Sequence, residues 1–203
     1  MEFVVILHGL SRTSASMKRL ARFVEEAGFA PILVDYPSSK ATIESLAEQI
    51  FADLPKVGKL QFVGHSLGGV LSVRVAKMLP ESRRGRIVQI GAPNFGSEIA
   101  ARASIFGKLI GPALAELVPH TGEDTIGLDI GAIAGTAAIP AYGYITGIAG
   151  ENDGKVSVVS AWGNAAENKR ITFPVAHVIM MQDRRVIEAT VAFLKTGSFE
   201  SVD

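Results

Sequence analysis

The sequence predicts an α/β fold, a mostly parallel sheet of about six strands covered by helices on both faces, on three observations. Strand-like and helix-like segments alternate along the chain. The first strand-like run, Phe3–Leu7, is apolar throughout rather than alternating, as expected where both faces of a sheet are buried. The composition, 48% hydrophobic but only 7% aromatic, supplies Val, Ile, Leu and Ala for such a core. At 203 residues the chain suits a single domain spanning 1–203, and it shows neither an internal repeat nor a linker.

Phe3–Leu7 is the first strand-like run. It lacks the basic flank and small-residue cleavage site of a signal peptide, which sets the expectation of a cytoplasmic protein. Met17, Leu20, Ala21 and Val24 then recur at helical spacing, with Gly28 as a stop. Pro31–Asp35 reads as the second strand, and Ile43, Leu46, Ala47, Ile50 and Phe51 as the stripe of the next helix, ended by Pro55. Lys59–Val63 is a strand, Val70–Leu79 a helix closed by Pro80, and Arg86–Ile90 a further strand. Between Phe95 and Ile139 the pattern blurs: Ile99, Ala103, Phe106, Ile110, Ala113 and Leu117 suggest a helix that Gly107 and Gly111 weaken. Tyr142–Ala149 and Arg170–Phe173 read as the last strands, and Val186, Ile187, Val191 and Leu194 mark the final helix. The uncharged stretch Ile130–Gly150 is interrupted by Pro140 and rich in Gly and Ala, so buried loop, short helix and strand are expected there rather than a membrane span.

Charge and composition exclude several functions. Lys and Arg together number 20, as do Asp and Glu, so no basic surplus points to nucleic acid or an anionic membrane. There is no cysteine, which rules out disulfides and thiolate metal sites. The histidines lack the spacing of a metal motif, and the Gly-His-Ser-Leu-Gly-Gly run lacks the Gly-Lys-Ser/Thr of a phosphate loop. No cofactor or metal is expected.

That same run carries the chemistry. Gly64-His65-Ser66-Leu67-Gly68 fits G-x-S-x-G between a strand-like and a helix-like segment. Glycines two before and two after the serine permit a turn sharp enough to expose Ser66 Oγ at the sheet edge, with the Leu67 N–H aimed at a developing oxyanion. Serine needs a base, and the base needs an orienting acid. In this topology both follow the serine, on loops after later strands. Of His8, His65, His120 and His177, only His177 follows a late strand and precedes a new apolar run, so it is the expected base. Asp153, in the turn Gly150-Glu151-Asn152-Asp153-Gly154, is the expected acid. Glu151 is a nearby rival, and Asp124 and Asp129 fit less well. His8-Gly9-Leu10 after the first strand offers the Leu10 N–H as a second oxyanion donor.

With His8-Gly9-Leu10, Gly64–Gly69, Gly91-Ala92-Pro93-Asn94-Phe95-Gly96-Ser97, Asn152-Asp153-Gly154 and His177 in this order, the chain resembles the α/β-hydrolase superfamily, and within it the small bacterial lipases and esterases. The Gly91–Ser97 run is similar to the G-T-P-x-x-G-S turn of many lipases, with Ala92 in place of threonine. The resemblance implies a minimal α/β-hydrolase fold starting at the third strand of the full version. It also implies a serine hydrolase of carboxylic esters using Ser66, His177 and Asp153, with the Leu10 and Leu67 amides as oxyanion hole and a small-molecule or lipid ester as substrate. The scaffold also hosts acyltransferases and thioesterases, and a non-catalytic binding protein on it is the alternative from another class. Some relatives carry an apolar lid, for which residues 95–139 are the candidate, or a structural calcium, for which Asp124 and Asp129 are conceivable ligands that their spacing does not require.

Overall fold

The computed structural model describes residues 2–96, 111–117, 125–138 and 148–200. Among these, β1 (Phe3–Leu7), β2 (Ala30–Val34), β3 (Leu60–His65), β4 (Arg84–Ile90), β5 (Ile130–Gly135) and β6 (Arg170–Phe173) form one sheet in the order β2-β1-β3-β4-β5-β6. Every neighbouring pair is parallel. The helices are α1 (Lys18–Glu26), α2 (Ile43–Asp53), α3 (Leu67–Met78), α4 (Pro112–Glu116), α5 (Val158–Trp162) and α6 (Arg184–Thr196).

Alternation along each strand divides the core in two. Val5, Leu7, Leu60, Phe62 and Ala132 face α2 and α3, where Leu46, Ile50, Leu71 and Val75 pack on them. Val4, Ile6, Val63, Val88 and Ile133 face α1 and α6, meeting Leu20, Val24, Ile187 and Phe193. The helical stripes expected for α1, α2 and α6 supply these buried side chains, which at about 1.5–3 kcal/mol each make burial the main source of stability. Pro31 lies in β2, an edge strand, where its missing N–H breaks no central ladder.

The chain leaves β1 for the edge strand β2 and then crosses back to β3 on the other side of β1. Leu7 is level with Gly64, and His65 with Ile90, so the segments after β1, β3 and β4 emerge together at the carboxyl edge. A reversal of winding opens a crevice between such strand ends, the place where ligands bind in open α/β sheets.

The fifth strand differs from expectation. It is Ile130–Gly135, not Tyr142–Ala149. Of that expected run, residues 142–147 lie outside the described residues, and Ile148 and Ala149 are not in a strand. The reason is close packing on the face of β5 that carries Gly131 and Gly135. A Cβ on Gly131 would stand 2.7 Å from the Phe193 ring, and one on Gly135 would stand 2.4 Å from the Val175 carbonyl oxygen. Space therefore selects Gly and Ala at four of the six positions, and only Ile130 and Ile133 carry the β-branched signature of a strand. Among the described residues, no helix is long and apolar enough to cross a membrane.

Candidate active site

The turn from β3 into α3 is forced by sterics. Ser66 stands between the two elements with φ 55° and ψ −123°, a left-handed conformation that costs a non-glycine residue about 1–3 kcal/mol. A Cβ on Gly64 would fall 2.1 Å from the Gly68 carbonyl oxygen, and one on Gly68 would fall 2.4 Å from the Leu7 carbonyl oxygen. Gly69 faces Ala92 in the same way, with 2.6 Å left for a Cβ. The Ser66 N–H donates to the Ile90 carbonyl at 2.9 Å, which pins the turn to β4. From Leu60 to Val73 every residue but Ser66 is buried. As the first residue of α3, Leu67 has an N–H with no acceptor inside the helix.

Asp153 and His177 are joined across the far side of the same edge. The His177 Nδ1–H donates to Asp153 Oδ2 at 2.7 Å. A carboxylate only accepts, so this bond fixes the proton on Nδ1 and leaves Nε2 as the bare nitrogen of the neutral ring. The other Asp153 oxygen, Oδ1, accepts the Lys155 N–H at 2.9 Å and the Val156 N–H at 2.8 Å. The His177 backbone N–H returns to the Asp153 carbonyl at 3.0 Å, so acid and base segments are bonded by main chain as well as side chain. Both side chains are buried.

The segment after β1 is braced by the one after β2. His8 is buried, and Tyr36 stacks on it with ring centroids 4.1 Å apart and donates its hydroxyl to the His8 carbonyl. Burial pushes the His8 pKa down, opposed by its bond to the Gly9 carbonyl and by Asp35. Ser11, also at positive φ, donates its N–H to Ser38 Oγ at 2.9 Å. Asp35 accepts the N–H and hydroxyl of Ser14. Tyr36 and Ser38 escaped the sequence reading because no spacing rule links residues 27 or 28 apart.

A second brace holds the Gly91–Gly96 turn. Asn94 and Gln89 exchange side-chain amide bonds at 2.8 and 2.9 Å, and Gln89 also donates to the Gly69 carbonyl in the first turn of α3. Between these parts lies a cleft of about 240 Å³. Gly9, Leu10, Ser66 and His177 line its floor, and Leu114, Leu117, Val156 and Val178 supply apolar walls.

No protein-family model and no curated protein sequence matches the chain. Solved structures do match. The mature form of lipase BlEst2 from Bacillus licheniformis covers 96% of this chain and 91% of its own, with a TM-score of 0.76 at 18% identity. An extracellular α/β-hydrolase from a Paenibacillus species covers 95% and 98%, at TM-score 0.60 and 14% identity. A pyrethroid hydrolase from Sphingobium faniae covers 97% and 98%, at TM-score 0.62 and 13% identity. The chain has the α/β-hydrolase fold.

On this α/β-hydrolase framework, Ser66, Asp153, His177, Leu10 and Leu67 all stand at the carboxyl edge of the sheet. Ser66, His177 and Leu10 share the cleft, and Asp153 bonds His177 from behind it. Glu151, the rival acid, is exposed. His120 and Asp124 lie outside the described residues. Asp129 is bound to Lys169 at 2.7 Å and to Arg86 at 3.4 Å, so its charge is already met by protein cations. Of the apolar stripe Ile99–Leu117, residues 99–110 lie outside the described residues. The remainder contains α4, whose Leu114, with the following Leu117, walls the cleft while Ala113 enters the core.

Proposed function

We propose that the chain is a serine hydrolase of carboxylic esters. The observation that carries this reading is the Asp153–His177 bond at 2.7 Å, which leaves His177 Nε2 bare in the cleft that also exposes the strained Ser66. Ser66 Oγ attacks the ester carbonyl as its proton passes to His177 Nε2, and Asp153 holds the ring and stabilises the imidazolium. The carbonyl oxygen becomes an oxyanion facing the Leu10 and Leu67 N–H groups, each worth about 3 kcal/mol at a comparable site. Collapse breaks the bond to the alcohol, which leaves with the proton from His177. Water then repeats the sequence against the acyl-serine and regenerates Ser66. The apolar walls suit an acyl chain or another small apolar ester group.

Intact-mass labelling with a fluorophosphonate, followed by peptide mapping, tests the assignment. One adduct on Ser66 is expected, together with a loss of about 10⁴-fold or more in kcat for Ser66→Ala on p-nitrophenyl esters. Retention of most activity by Ser66→Ala would overturn it.

A further inference from the structure

His65 plays no part in the proton transfers just described, yet it occupies the centre of the candidate site. It ends β3, is 1% exposed and lies one residue before Ser66. Its Nε2 is 3.0 Å from the His177 carbonyl oxygen. A carbonyl only accepts, so His65 carries its proton on Nε2 and leaves Nδ1 bare. Nδ1 is buried and has no hydrogen-bond partner among the described residues. It faces Gly9: a Cβ there would stand 3.0 Å from Nδ1 and 3.3 Å from Ser66 Cβ. On its other side the His65 ring meets the His177 ring, centroids 4.8 Å apart and tilted by 46°. Burial first, then the like charges of His177, Arg12 and Lys155, hold its pKa well below the ordinary 6.5 against the raising effect of its bond to the His177 carbonyl, and so favour the neutral ring.

We propose that His65 is the positioning residue for the base: its Nε2–H bond to the His177 carbonyl and its ring contact set where His177 stands relative to Ser66 and the Gly9–Leu10 segment. This rests on the roles proposed for Ser66 and His177. The segment His177–Gln182 has other tethers, from Arg12 to the Val178 carbonyl at 3.3 Å and from Gln182 to the Ser16 carbonyl at 2.7 Å. The first is exposed and long, and both act one residue or more beyond the base. The His65 bond is buried and falls on His177 itself, whose N–H and Nδ1–H are both committed to Asp153. The carbonyl is the one backbone group of His177 left to fix, and His65 fixes it from the strand that delivers Ser66. Misplacement of a reacting group by about 1 Å costs on the order of 10²-fold in rate, so this contact has a kinetic consequence.

The test compares three variants on one p-nitrophenyl ester. A glutamine amide nitrogen reaches the position of Nε2 and restores the donor, an asparagine amide nitrogen reaches only that of Nδ1, and leucine restores nothing. His65→Leu and His65→Asn should each lower kcat by about 10- to 100-fold with KM nearly unchanged, and His65→Gln should recover most of it. Fluorophosphonate labelling of Ser66 should slow in the same order. Equal activity in all three variants, or a Gln variant no better than Leu, overturns the proposal. Continued labelling of Ser66 in those cases shows that the hydrolase reading itself survives. A measurement on the unsubstituted protein guards against variants that fail to fold: nitrogen-15 NMR of the His65 ring should show the Nε2–H tautomer, and the Nδ1–H tautomer would equally overturn it.

Discussion

The two halves of the candidate site are held by different physics. The Ser66 side is fixed by exclusion: backbone passes so close to Gly64 and Gly68 that no side chain fits, and the strain at Ser66 is the remainder. The Asp153–His177 side is fixed by attraction, through hydrogen bonds between residues 24 apart that meet only when β5 and β6 are paired. Steric exclusion tolerates almost no change. Hydrogen bonding is long-range and can be weakened one donor at a time. His65 joins the halves, since it belongs to the strand of the first and bonds the backbone of the second.

Substitutions that strike one half and spare the other sharpen this contrast. Asp153→Asn should have an effect on turnover approaching that of Ser66→Ala. The side chain keeps its shape, but an amide at Oδ2 favours the wrong His177 tautomer, and kcat should fall by about 10⁴-fold with a much smaller change in thermal stability. A variant that unfolds instead would show the acid half to be as intolerant as the elbow. Gly64→Ala should do the reverse, destabilising the protein by about 3 kcal/mol or more because its Cβ meets the backbone of α3 rather than a movable side chain. Chemical denaturation checks this, and a loss below about 1 kcal/mol would show that the turn relaxes easily.

The smallest effect is on pH dependence, and it comes from two buried histidines. His8 and His65 are buried with lowered pKa values, burial being the leading cause for both. Unfolded, each titrates near the ordinary 6.5, so below that pH the unfolded chain binds more protons than the native one. Stability should be flat above pH 6.5 and fall below it, by up to about 1.4 kcal/mol per pH unit for each histidine that stays neutral in the fold. Urea midpoints for the protein and His65→Gln between pH 5 and 7.5 check the sign, since the variant should lose one histidine's share of the slope. An identical slope in both would show that His65 does not stay neutral.

The same division governs how much could be read from the letters. The sequence alone made the elbow legible, because glycine is the one answer to the contacts it must allow, Gly64 against Gly68 four residues on and Gly68 against Leu7 on the neighbouring strand. It also determined five of the six strands to within a few residues, and it singled out Ser66, Asp153 and His177 as the candidate residues that meet at one edge of the sheet. The fifth strand was illegible, since Gly131 and Gly135 answer to Phe193 and Val175 and carry no strand propensity of their own. Tertiary structure alone decided that His65 bonds the carbonyl of His177 and that Tyr36 and Ser38 brace the segment after β1. Such contacts join residues far apart in the chain and exist only once parallel pairing has brought the strand ends to one edge. Local sterics leave a mark on neighbouring letters, and long-range hydrogen bonds leave none.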